Sequence, residues 1–227
     1  MEMIISMNLL KLTKDTPSQS WSTKVQCLCY VDKVLTINNI KIKVGFRATV
    51  ENVILNEIAL DQMEMFFDLL MHNSIIIDKA VYDKIDEFPF INNIFMVPGN
   101  ISDQVIGSLV FVKLVSIVKN NLEIDYITIS TELGKKIKYT ITGDSPEIEV
   151  LLPKKVDWWD DENIMFDPWW LRSDTATYDF LINRDEIYEG EFIWEEFFKE
   201  ELSKLKEETE SPRRKAFKII EGGKDAT

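Results

Sequence analysis

Apolar and polar positions alternate through two neighbouring stretches. Val25, Cys27, Cys29 and Val31 alternate with Gln26, Leu28, Tyr30 and Asp32, and Ile40, Ile42, Val44 and Phe46 alternate with Lys41, Lys43, Gly45 and Arg47. A period of two places one set on each face of a strand, so the two stretches predict a β-hairpin turning at Asn38-Asn39, with a solvated face on its second strand. Residues 4–12 are expected to form a short strand or helix. Residues 15–23, with Pro17 and several Ser and Thr, read as a loop.

The period then changes. Ala59, Met63, Phe66, Phe67 and Leu70 fall on one helical face, with Asp61, Glu64 and Asp68 opposite, which predicts an amphipathic helix over 57–72. Ile75 to Ile77 is a short apolar strand, and 78–87 a shorter helix that stops before Pro89. After Pro98-Gly99-Asn100, either Asn100 or Ser102 is placed to cap a helix running to about Lys119, with Asp103 at its positive end. That helix is apolar on nearly every side and should be the buried centre of the fold. Only Lys113, Gly107, Ser108 and Ser116 interrupt it.

Three alternating stretches follow, 122–130, 136–142 and 147–152, and predict a three-stranded meander. Beyond Pro153 lies a Trp-rich stretch, 157–170. A short helix is expected after Ser173, and 191–208 reads as an amphipathic helix with Trp194, Phe197, Phe198, Leu202 and Leu205 on one stripe. The fold class implied is α+β: an antiparallel hairpin and meander packed on a buried central helix, with an acidic C-terminal helical arm. Three parts are expected: a core domain over 1–156, an acidic Trp-rich segment with its helix over 157–210, and a mobile tail over 211–227.

Composition supports a folded chain. Of 227 residues 45% are hydrophobic and 11% aromatic, well above the range of disordered sequences. Charge sharpens the division into parts. The net charge of −13 is concentrated: residues 157–201 carry 3 basic and 15 acidic side chains, whereas 1–156 carry 16 and 19 and 202–227 carry 7 and 5. A localised negative field of that kind repels phosphate backbones and attracts basic surfaces, so direct nucleic-acid binding is not expected. Arg213-Arg214-Lys215 is too small a basic group to reverse that.

Cys27 and Cys29 are the only cysteines, too few for a disulfide framework, and read as two buried thiols rather than half a zinc site. The start of the chain lacks the basic region and cleavage site of a signal peptide, and no window approaches a membrane span. A soluble protein of a reducing cytoplasm, or one associated with a virion, is expected. The Ile-, Asn-, Lys- and Asp-rich composition resembles that of accessory proteins of AT-rich bacteria and large bacteriophages. No residue role follows from that.

Candidate chemistry is sparse. His72 is the one histidine, at a helix end with no nucleophile elbow in the chain, so it reads as a helix-terminal residue rather than a base. Neither phosphate-loop pattern occurs, and no cofactor or metal is expected. The feature that stands out is Asp157-Trp-Trp-Asp-Asp-Glu-Asn-Ile-Met-Phe-Asp-Pro-Trp-Trp170, with four of the six tryptophans and five carboxylates.

Asp157, Asp160, Asp161, Glu162 and Asp167 suit a hard divalent cation in ligand type, but they match no Ca²⁺-loop spacing. Trp158, Trp159, Trp169 and Trp170 either fasten the segment to its own domain or anchor a partner. In an extended chain adjacent tryptophans point to opposite faces, so one of each pair is expected at the surface. The expected function is therefore a non-enzymatic interaction or assembly protein. It would dock a basic protein partner through these nine residues, the aromatics giving affinity and the acids steering. The alternatives are an acidic DNA mimic that inhibits a nucleic-acid-binding protein, and a carboxylate metal-dependent hydrolase or nuclease.

Overall fold

The computed structural model describes residues 12–15, 17–82, 93–161 and 167–174. All lie in one compact unit, Met1–Gly190. They build an α+β fold around a six-stranded mixed sheet of order β4-β3-β1-β2-β5-β6. The helix expected over 191–208, the tail after it and most of residues 4–12 lie outside the described residues.

The strands β1 (Gln19–Val31) and β2 (Val34–Ala48) form the predicted hairpin, with β1 starting at Gln19, inside the stretch expected to be a loop, because residues 19–23 pair with Ile42–Phe46. Its turn is not at Asn38-Asn39. Asp32 and Lys33 make it, both at positive φ (52° and 65°), and Val31 pairs with Val34 across a two-residue loop. Asn38 instead lies buried within β2, where its side-chain oxygen accepts from the backbone N–H groups of Glu132 (3.1 Å) and Leu133 (3.3 Å). The turn-forming amide is used across the sheet, while a lysine takes the left-handed turn position.

On the outer side of β2 comes β5 (Leu122–Thr131), followed by β6 (Tyr139–Thr142), both antiparallel to their neighbours. One face of these four strands carries Val25, Cys27, Cys29, Ile40, Ile42, Val44, Phe46, Ile127, Ile129 and Ile141 into the core. The other shows Lys24, Lys41, Lys43, Arg47 and Glu123 to solvent. Gly45 pairs with Tyr126, whose ring occupies the space a side chain there would need: an added Cβ would lie 2.1 Å from the ring.

The third strand of the predicted meander is a helix, α4 (Pro146–Leu151). Pro146 opens it, Glu147 and Glu149 lie in its first turn where the helix dipole favours acids, and Ile148 alone is buried. Three apolar residues at alternate positions were too few to fix the period.

The other half of the sheet is parallel. Strands β3 (Ile75–Asp78) and β4 (Ile94–Val97) run parallel to β1 and to each other. Both faces are covered here: Ile77, Ile94 and Met96 pack with Tyr30, Val81 and Tyr82 on one side, the last two from α2 (Lys79–Tyr82). Strands buried on both faces read as plain apolar runs, which is why the Ile94–Val97 segment gives no alternating signal.

Two longer helices complete the core. In α1 (Val53–Met65), capped by Asn52 and continued by a π-helical turn over Phe66–Met71, the buried side is Asn56, Ala59, Met63, Phe66, Phe67 and Met71. In α3 (Asp103–Val118) the Ser102 hydroxyl accepts from Val105 N–H, and every residue but Gln104 and Val115 is buried. Gly107 lets α3 settle onto the sheet, since an added Cβ would lie 2.3 Å from Ile141 and 2.9 Å from Ile129. Large side chains withdrawn in this way contribute roughly 1.5–3 kcal/mol each before the entropy cost of ordering them.

Candidate functional site

The Trp-rich segment is held from inside by the one lysine of the buried helix. Lys113 is fully buried, and its Nζ donates to the carbonyl oxygens of Trp169 (2.8 Å), Arg172 (2.7 Å) and Asp174 (2.7 Å), with the Asp174 carboxylate at 3.9 Å. One turn further on, Ser116 donates to the Arg172 carbonyl (2.6 Å). Arg172 is itself buried, reaching the Asp167 carbonyl (3.3 Å) and the Asp174 carboxylate (3.5 Å). Three acceptors at those distances need three N–H donors, which only the ammonium form supplies. Burial works against that form and pushes the Lys113 ammonium down to about 7, the nearby Asp174 opposing and Arg172 adding to the shift.

The tryptophans complete the fastening, and all four are buried. Trp169 donates its indole N–H to the Met96 carbonyl (2.7 Å) in β4 and meets Phe95 edge-on at 4.8 Å. From there the rings continue through Phe66, Phe67 and Trp21, so an aromatic chain runs from the loop to β1. Trp158 donates to the Leu171 carbonyl (3.1 Å), and Ser173 to that of Trp159 (3.3 Å). The expectation that one tryptophan of each pair would be exposed is corrected. Trp158–Asp160 is a 3-10 turn and Trp169–Leu171 a turn, so neighbouring side chains do not alternate between opposite faces as in a strand.

The acids remain outside or at the rim. Asp157, at φ 56°, is exposed and accepts from the Asn120 amide (2.8 Å). Asp160 pairs with Lys119 at 3.0 Å, and Asp161 with Lys155 at 2.6 Å. Asp167 is half-buried, and burial, then Asp161, raise its carboxyl above the usual range. Glu162 lies outside the described residues. Exposed pairs of this kind contribute about 0–1 kcal/mol, so they orient the carboxylates more than they stabilise the fold.

The structure thus brings eight of the nine candidate residues into one ledge and divides them by kind, aromatics inward and acids outward. Among the described residues, no three His, Cys, Asp or Glu side chains are grouped to hold a metal ion. Among them, too, no helix is long and apolar enough to cross a membrane.

Cys27 and Cys29 sit in the core, with burial pushing their thiols up to about 12 and about 11. His72 ends the π-helical turn, its Nδ1 accepting from Gln26 N–H (3.3 Å). Sequence reasoning missed Lys113, Ser116 and Arg172 as the residues that build the ledge. The available signal was a single lysine in an otherwise apolar helix, which a stable fold must pair.

Compared with known proteins, the sequence matches no family model, and no curated protein matches it.

Proposed function

We propose that this chain is a non-enzymatic interaction or assembly protein that docks a basic protein partner, with the acidic ledge as the steering surface. The observation that carries the reading is the division within 157–174: tryptophans and a buried lysine fix the backbone from inside, while Asp157 and Asp160 stay exposed on that fixed backbone. A rigid display of carboxylates loses little freedom on binding and raises association rates with a positively charged surface. In this reading Trp158, Trp159, Trp169 and Trp170 serve the partner indirectly, by holding the ledge.

The test is affinity capture with the wild-type chain and with a variant carrying Asp157→Asn, Asp160→Asn, Asp161→Asn, Glu162→Gln and Asp167→Asn. Partner capture should fall, and its salt dependence should flatten, in the neutralised chain. Equal capture at every salt concentration would sink the proposal.

A further inference from the structure

The outward side of α1 carries two adjacent stripes that the core does not use. Ile54, Ile58, Met65 and Leu69, at i, i+4, i+11 and i+15, are 67%, 46%, 39% and 67% exposed. At 1.5 Å per helical residue they span about 22 Å, allowing for the wider turn at the end. Beside them, at i, i+4, i+7 and i+11, run Glu57, Asp61, Glu64 and Asp68. Not one Lys or Arg occurs between Val50 and Met71. Among the described residues, no ion pair involves these four acids.

Both stripes work against the isolated protein. Like charges three and four residues apart on a helix repel, and large apolar side chains in a row on a surface are the usual mark of a contact. Burial, and after it Asp61 and Asp68, raise the carboxyl of Glu64. A solubilising helix would place lysines four residues from its glutamates. This one carries charges of one sign only beside its apolar stripe.

Resting on the interaction reading for the sign of the partner's charge, we infer that the outer face of α1 is a docking site for a basic amphipathic helix. The partner's apolar residues cover Ile54, Ile58, Met65 and Leu69, and its lysines or arginines meet Glu57, Asp61, Glu64 and Asp68. The complementarity selects that occupant: an acidic or neutral helix would leave the four carboxylates facing like charge or none. The ledge over 157–174 shares no residue with this face, so the two can be altered independently.

The experiment measures fluorescence anisotropy of a labelled synthetic leucine–lysine amphipathic helix titrated with the full chain. Binding should weaken by about tenfold or more in an Ile58→Ser, Leu69→Ser variant, because both side chains belong to the exposed apolar row the partner would cover. An Asp61→Asn, Asp68→Asn variant should bind with a shallower salt dependence, and a leucine–glutamate helix should not bind. Unchanged affinity in the serine variant would overturn the inference. Loss of binding only when Asp157, Asp160 and Asp161 are neutralised would also overturn it, while leaving the proposed function standing.

Two further outcomes count against it. A wild-type dimer that Ile58→Ser, Leu69→Ser converts to monomer would give the stripe to a second copy. Tighter helix binding after removal of residues 1–11 would give it to the chain's own apolar start.

Discussion

Helices α1 and α3 are of similar length and carry opposite anomalies. The largely apolar α3 has one lysine inside, and α1, with a core side already filled, has a second apolar row outside. A charge in the interior is tolerated only where the fold supplies its partners, and Lys113 finds three carbonyls of a loop more than fifty residues ahead in sequence. Among the described residues, the apolar row on α1 stands exposed. The first anomaly therefore points inward, to assembly of the fold, and the second outward, to assembly with something else.

Breaking the inward anomaly should have the largest effect. Lys113→Met removes the bonds to the Trp169, Arg172 and Asp174 carbonyls, of which Arg172 keeps the one from Ser116, and each lost bond costs about 1–3 kcal/mol, offset in part because an ammonium no longer has to be buried. A net loss of about 2–4 kcal/mol is expected from urea unfolding. An unchanged midpoint would mean that water or a neighbouring group replaces the amine.

Trp169→Phe removes the indole N–H bond to Met96 and part of the contact with Phe95, and should cost roughly 1–3 kcal/mol. The same change at Trp170 should cost less. Equal losses would argue that packing alone, and not the bond to β4, fastens the loop.

A smaller effect sharpens the charge assignment. The folded chain holds the Lys113 proton less tightly, at about 7, than the ordinary value of 10.5 that applies once unfolded. The unfolded chain therefore binds more protons in that interval, and the Lys113 contribution to stability rises with pH above about 7. The raised thiols of Cys27 and Cys29 act in the opposite direction above about 9. The window in which Lys113 stands alone among these groups is thus about 7 to 9. Unfolding midpoints of wild type minus Lys113→Met should climb across it, and a flat difference would mean that Lys113 keeps its charge throughout.

The smallest expected effect belongs to the outward anomaly. Ile58→Ser with Leu69→Ser should change the stability of the isolated chain by no more than about 0.5 kcal/mol per site, since both are exposed. A loss of several kcal/mol by thermal unfolding would place that row inside a contact of the chain with itself.

Much of the architecture was legible where period and punctuation agreed. The helix over α3, its Ser102 cap, the core side of α1 and the alternation of β1 and β2 all follow from local chemistry. Where the signal was short or ambiguous it failed. Asp32-Lys33 hides a left-handed turn behind a lysine, Pro146 outweighs the alternation after it, and Ile94–Val97 has no alternation to read. For the candidate site, the residue kinds were visible but not their directions. Whether a tryptophan faces in or out depends on a lysine in a distant helix, and periodicity carries no information about contacts at that separation.

The reach of Lys113 also bears on synthesis. The sheet strands and α3 are complete by Thr142, yet the acceptors on Trp169, Arg172 and Asp174 emerge from the ribosome later. Until then the helix at the centre of the fold presents a solvated ammonium on a surface meant to be dry. The domain cannot close ahead of its own loop, so a chain arrested before residue 174 should be held open at the place where a finished one is sealed.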